Sequence, residues 1–180
     1  MKYTQQTMEE QAALEAAAAM CAAARTAPKA KGVDLLHTMV LTGEDKDALA
    51  RSLEALGQEQ KLDFYLRDAQ NLRQAQAVVL IGTQEGQRGL GESCGYCHFA
   101  GCDGCAQAGG LCAFDPMDLG IALGSAAAIA ADRRVDTRIM YSVGKAALAL
   151  DLMGPQVKMI VAIPVAVQGK SPFFDRKKKT

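Results

Sequence analysis

Five of the six cysteines in this chain fall in one short stretch, at Cys94, Cys97, Cys102, Cys105 and Cys112. The run reads CGYCHFAGCDGCAQAGGLC, or C-x2-C-x4-C-x2-C-x6-C. Thiols packed this densely, in a chain expected to meet a reducing environment, point to a metal before disulfides.

Three readings compete. Disulfides need an oxidising compartment, and an odd number of clustered thiols leaves one unpaired. Zinc takes four tetrahedral ligands, commonly from two C-x2-C knuckles about 15–20 residues apart. Here the knuckles Cys94/Cys97 and Cys102/Cys105 are separated by only four residues. An iron–sulfur cluster is the favoured reading, since Cys97, Cys102 and Cys105 have the C-x4-C-x2-C spacing of plant-type ferredoxins. Cys94, Cys97 and Cys102 are the leading ligands, with Cys105 or Cys112 as the fourth and His98 as a weaker substitute. Gly95, Gly101 and Gly104 allow a tight fold that points backbone N–H groups at sulfur, an arrangement that tunes reduction potential.

The compartment follows from the rest of the chain. The N-terminus MKYTQQTMEEQ has no apolar signal-type stretch, and no later segment reads as a bilayer span, so a cytoplasmic, reducing location is expected. Lys+Arg and Asp+Glu balance at 20 each, which provides no general field for nucleic acid or an anionic membrane. The basic end, residues 175–180, reads as a solvated terminus. With 49% apolar residues and no Trp, the core must be built from Ala, Leu, Val, Ile and Met.

Hydrophobic periodicity predicts a helix over 9–25 with Leu14, Ala17, Ala18, Cys21 and Ala22 inward, so Cys21 reads as an inert buried thiol. A strand is expected over 33–41, with His37 as a satisfied strand residue. Thr42 should cap a helix lined by Leu49, Leu53 and Leu56 and ended by Gly57. A third helix is expected over 63–76 with Phe64, Leu72 and Ala75 inward, then a central strand over 77–82. The glycine-rich loop 83–93 matches no phosphate-binding motif. Asp115 is the expected N-cap, with Pro116 at the first position, of a helix running to about Asp132. Gly120 and Gly124 on it suit close helix packing. Ser142 should cap a helix ending near Gly154, and Pro164 marks 157–167 as an edge or bulged strand. The strands are too few for a doubly wound sheet, so the class is α+β, one domain over 1–180 with a cysteine-rich module at about 91–114. No Ser–His–Asp, Cys–His or paired-carboxylate set nominates a catalytic residue.

Together with these motifs, CGYCHFAGC (94–102) leading into DPMDLGIALGSAAAIAAD resembles a family of uncharacterised prokaryotic proteins with a ferredoxin domain. The similarity extends through AARTAPKAKGVD (23–34), VVLIG (78–82), DTRIMYSVGKAA (136–147) and GKSPFFDRK (169–177). The CGxC-x4-C opening is similar to other four-iron four-sulfur modules. The flanking parts resemble the FMN-dependent nitroreductase fold, an α-β-α sandwich that is usually an intertwined homodimer. In that fold a flavin-side loop follows the first helix, as Ala27-Pro28-Lys29-Ala30-Lys31-Gly32 does here, although Lys29 stands in place of Ser and Gly32 in place of Asn. The resemblance implies FMN contacts at Arg25, Thr26, Lys29 and Lys31, with added charge from Lys170 and Arg176. The alternative is that these are ordinary surface cations.

The resulting expectation is a redox protein that passes single electrons between an iron–sulfur cluster, bound FMN and a further redox partner, as in a flavin-dependent oxidoreductase. Two alternatives stand beside it: a zinc-bound structural or partner-binding module on a flavin-free scaffold, and a flavin enzyme whose cysteines are thiol-active.

Overall fold

The structure is a computed structural model that describes residues 1–174. Four strands form one antiparallel sheet in the order β1-β2-β4-β3: β1 Leu36–Thr42, β2 Ala77–Gln84, β4 Val157–Ala166 and the short β3 Asp136–Thr137. Alternation along β2 decides the layers. Ala77, Val79 and Ile81 face α1 (Gln5–Thr26) and α5 (Phe114–Asp132), while Val78 and Leu80 face α2 (Gly43–Glu59), α3 (Asp63–Gln74) and α6 (Tyr141–Ala149). Helices therefore cover both faces of the sheet.

α1 is nearly all alanine on its inner side. Ala13, Ala16, Ala17, Met20 and Ala24 are buried, and they meet Ala122, Ala126 and Ala130 of α5. Small side chains let the two helices lie close, tied by Ser125 Oγ donating to the Ala23 carbonyl at 3.1 Å. The inner stripe is displaced from the expected one, and Leu14 is half exposed. Alanine is compatible with either environment, so it cannot fix the phase of the helix by itself. Cys21 is partly buried, and burial raises its thiol pKa against an opposing hydrogen bond from Thr38. His37 shares a 2.8 Å hydrogen bond with Gln84.

Several expected details are corrected. Tyr65, rather than Phe64, enters the core. Gly57 does not end α2. It sits inside the helix, where a Cβ would lie 2.8 Å from Tyr65 Cβ. Ser142 lies within α6 and donates to Asp68 at 2.5 Å instead of capping the helix. Pro164 is in an internal strand. Ala162 exchanges both backbone hydrogen bonds with Met140, so Pro164, two residues on, turns its missing N–H toward the same side. There β3 stops at Thr137, and no donor is required. The expected bulge is present in this strand but six residues before Pro164: consecutive Thr83 and Gln84 pair with Met159 and Val157, which leaves Lys158 of β4 as the extra residue. Among the described residues no neighbour lies within 4 Å of where a Cβ would stand on Gly120 or Gly124, so these glycines do not serve packing there. α5 is also the one described helix long and apolar enough to cross a membrane, contrary to expectation, although part of it is buried against α1 and the sheet.

Candidate metal centre

The cysteine segment is an excursion between the end of β2 and the start of α5. After Gln84 the chain passes through a turn at Gly91–Ser93, then Cys94 and Cys97, then the short helix α4, Gly101–Gln107. Cys102 and Cys105 both lie on α4, and three-residue spacing places them on one helical face. Gly95 and Gly101 adopt φ of 63° and 70°, left-handed values that reverse the chain on either side of Cys97. The intervening His98 is also left-handed, at φ 62°, and its side chain is exposed.

These turns bring all five thiols to the lining of one pocket. The other walls are Leu90, Phe99, Ala113, Phe114, Gly91, Gly95 and Gly101, with Gln87 and Arg88 as the polar contributors. His98 is not among the lining residues. Cys105 and Cys112 are buried, while Cys94, Cys97 and Cys102 are partly exposed. All six cysteines are free thiols. Burial first, then the adjoining Cys97, raises the Cys105 pKa, and a hydrogen bond with Gln87 partly opposes the rise. The site is thus soft, apolar-walled and rich in donors, which suits a group that prefers sulfur. Among the described residues no three His, Cys, Asp or Glu side chains form a ready-made single-ion site.

Beside the pocket lies a buried charge cluster that the sequence reading did not identify. Arg88 Nη1 donates to Asp115 at 2.8 Å and Nη2 to Asp118 at 2.9 Å, and both carboxylates are buried. Burial alone would lower the Arg88 pKa. The hydrogen bonds and charges of Asp118 and Asp115 outweigh it and hold the pKa above the ordinary value. Arg88 Nη1 also donates to the Gly86 carbonyl, and Asp115 accepts from the Gly86 N–H at 3.1 Å. Asp115 is therefore not the N-cap of α5. The helix begins at Phe114, and this carboxylate is turned inward. Asp118 accepts from the Ala30 N–H at 3.1 Å. The cluster thus joins α5, the entry to the cysteine segment and the loop after α1. The available sequence signal was Asp115 and Asp118 three apart on one helix face, with a single arginine in the preceding glycine-rich loop.

The positions expected to contact FMN are already engaged. Arg25 pairs with Asp34 at 2.7 Å and donates to the Leu36 carbonyl. Thr26 Oγ1 donates back to Ala22 at 3.1 Å within α1. Lys29 Nζ donates to the carbonyls of Arg25 and Ala27, and Lys31 Nζ reaches the Gly89 carbonyl at 3.4 Å. Lys170 also has a partner. Arg176 and the basic end lie outside the described residues. Arg25, Lys29 and Lys31 thus each spend a hydrogen bond or ion pair on the chain itself.

Comparison with known proteins fits this architecture. A family model described as an uncharacterised protein containing a ferredoxin domain matches residues 108–176, a span that includes Cys112 and begins after the other four clustered cysteines. An uncharacterised protein of Archaeoglobus fulgidus is 40% identical over 172 residues, covering 91% of each chain. Among solved structures, an FMN-dependent nitroreductase from Mycobacterium smegmatis in complex with NADPH superposes with a TM-score of 0.57 at 14% identity, covering 87% of this chain and 78% of its own. A BluB-like flavoprotein from Clostridium difficile gives a TM-score of 0.55 at 16% identity, covering 100% of this chain and 87% of its own. An oxidoreductase containing FMN gives 0.57 at 13% identity, covering 87% and 67%. At such identities the likeness establishes the fold alone: a nitroreductase-like α-β-α sandwich with the clustered cysteines in its middle region.

Proposed function

We propose an electron-transfer role, from the premise that this chain belongs to the family of uncharacterised proteins containing a ferredoxin domain. The observation that carries it is the gathering of five thiols around one apolar-walled pocket. An iron–sulfur cluster, four-iron four-sulfur by its resemblance to other such modules, supplies one-electron transfer when bound. Cys94, Cys97 and Cys102 would hold it, with Cys105 or Cys112 as fourth ligand. Leu90, Phe99 and Phe114 give the pocket apolar walls, and low local polarity would strengthen contacts to sulfur. Cys105 must release its proton on ligation, so loading is coupled to pH.

Zinc is the competing occupant. Four thiolates at a Zn–S distance of about 2.3 Å would place their sulfurs about 3.8 Å apart, converging on a point. The C-x4-C-x2-C spacing of Cys97, Cys102 and Cys105, with all five thiols lining one pocket, supports the cluster. FMN is a second cofactor proposal, supported by the FMN-containing structures that share the fold. Flavin released on denaturation in stoichiometric amount would establish it, and a yellow protein without metal would favour thiol-active chemistry. A homodimer belongs to the same reading, and sedimentation showing only monomer would overturn it.

The cluster proposal is tested by changing each of the five cysteines to Ser in turn and measuring iron and sulfide after anaerobic purification. Four variants should lose most of their iron and the fifth should retain it. Full iron in all five variants would overturn the assignment.

A further inference from the structure

The pocket contains one polar group that the cysteines do not explain. Arg88 lines it, with its side chain only 1% exposed. Nη1 and Nη2 are held by Asp115, Asp118 and the Gly86 carbonyl, whereas Nε is buried with no hydrogen-bond partner among the described residues. A guanidinium is planar and rigid, so fixing its two Nη atoms also fixes the direction of Nε–H. A buried donor left unsatisfied is costly, and native proteins rarely keep one without a function. The two carboxylates are themselves anchored by the N–H groups of Gly86 and Ala30, which makes the guanidinium a held device rather than a wandering side chain.

We propose, resting on the iron–sulfur reading, that Arg88 is a positioning residue whose Nε–H donates to a sulfur of the cysteine-bound cluster. Hydrogen bonds to cluster sulfur favour the reduced, more negative state and raise the reduction potential. Asp115 and Asp118 serve this by aiming the donor and by balancing its charge away from the sulfur.

The test uses the anaerobically purified full chain labelled with 15Nε-arginine. In the reduced protein, pulsed electron paramagnetic resonance should detect a 15N coupling to the cluster, and Arg88→Lys should abolish it. Arg88→Lys keeps the charge but removes this donor. It should shift the oxidised–reduced equilibrium about tenfold toward the oxidised form, a fall of about 59 mV for one electron. A wild-type protein with cluster but no 15N coupling overturns the inference, and so does a folded, cluster-loaded Arg88→Lys with an unchanged potential. If that variant does not fold, the wild-type coupling alone decides. Failure of the cluster reading itself is seen earlier, as an absence of iron on metal analysis, and it overturns the inference too.

Discussion

At Gly110 a single missing methyl group shapes the pocket. A Cβ there would lie 2.4 Å from Phe99 Cε2 and 3.1 Å from Cys105 Sγ. Phe99 is 38% exposed, so its ring can swing outward to relieve the clash, opening the wall it provides. Gly110→Ala should therefore leave the melting temperature nearly unchanged and speed the bleaching of the bound group in air several-fold. A large loss of stability would show that the wall cannot move. Cys105 makes a separate prediction. Burial and Cys97 raise its pKa, so the folded metal-free protein favours the neutral thiol. Its contribution to stability is fully present below the ordinary thiol value of about 8.5 and is lost as pH rises through the raised folded value. Urea unfolding of the metal-free form at pH 7 and pH 10 should show the weaker fold at pH 10, whereas metal loading should be weaker at low pH. The five thiols were legible in the sequence because their spacing is local. Arg88 was not, because its partners lie 27 and 30 residues away and only the fold brings them together.

Elements were legible where side-chain size distinguishes inside from outside. β2, with its unbroken run of Val, Leu and Ile, could only be a central strand, and Leu49 and Leu53 fixed the phase of α2. Alanine-rich α1 offered no such contrast, and Asp115 looked like a cap because a carboxylate near a helix start usually is one. Two helix glycines separate cleanly by their surroundings. A Cβ on Gly144 would sit 1.9 Å from the Ile160 carbonyl oxygen, so α6 touches β4 through bare backbone. Gly144→Ala should destabilise the protein by about 3 kcal/mol or more, since neither partner is a side chain that can turn away. Gly120→Ala meets nothing within 4 Å and should stabilise α5 by up to about 1 kcal/mol. Thermal melts of the two variants check both signs.

Across the whole molecule, the buried charge cluster is the join between the sandwich and the cysteine segment. Asp118 reaches the Ala30 N–H on one side and Arg88 on the other. Asp118→Asn should weaken both, with exchange of the Ala30 amide at least tenfold faster, equivalent to about 1.5 kcal/mol for a hydrogen bond to a charged group. Unchanged exchange would show that the loop after α1 is held by something else. The layered architecture was readable from helix–strand order, but this long-range wiring was not. The central claim is that sulfur holds an iron-containing group in the pocket. Iron and acid-labile sulfide, measured on wild-type protein purified without oxygen, test it most directly. Both should be present in equal, stoichiometric amounts, with a broad absorption band toward the blue end of the visible range. Colourless protein holding zinc, or no metal at all, would contradict it.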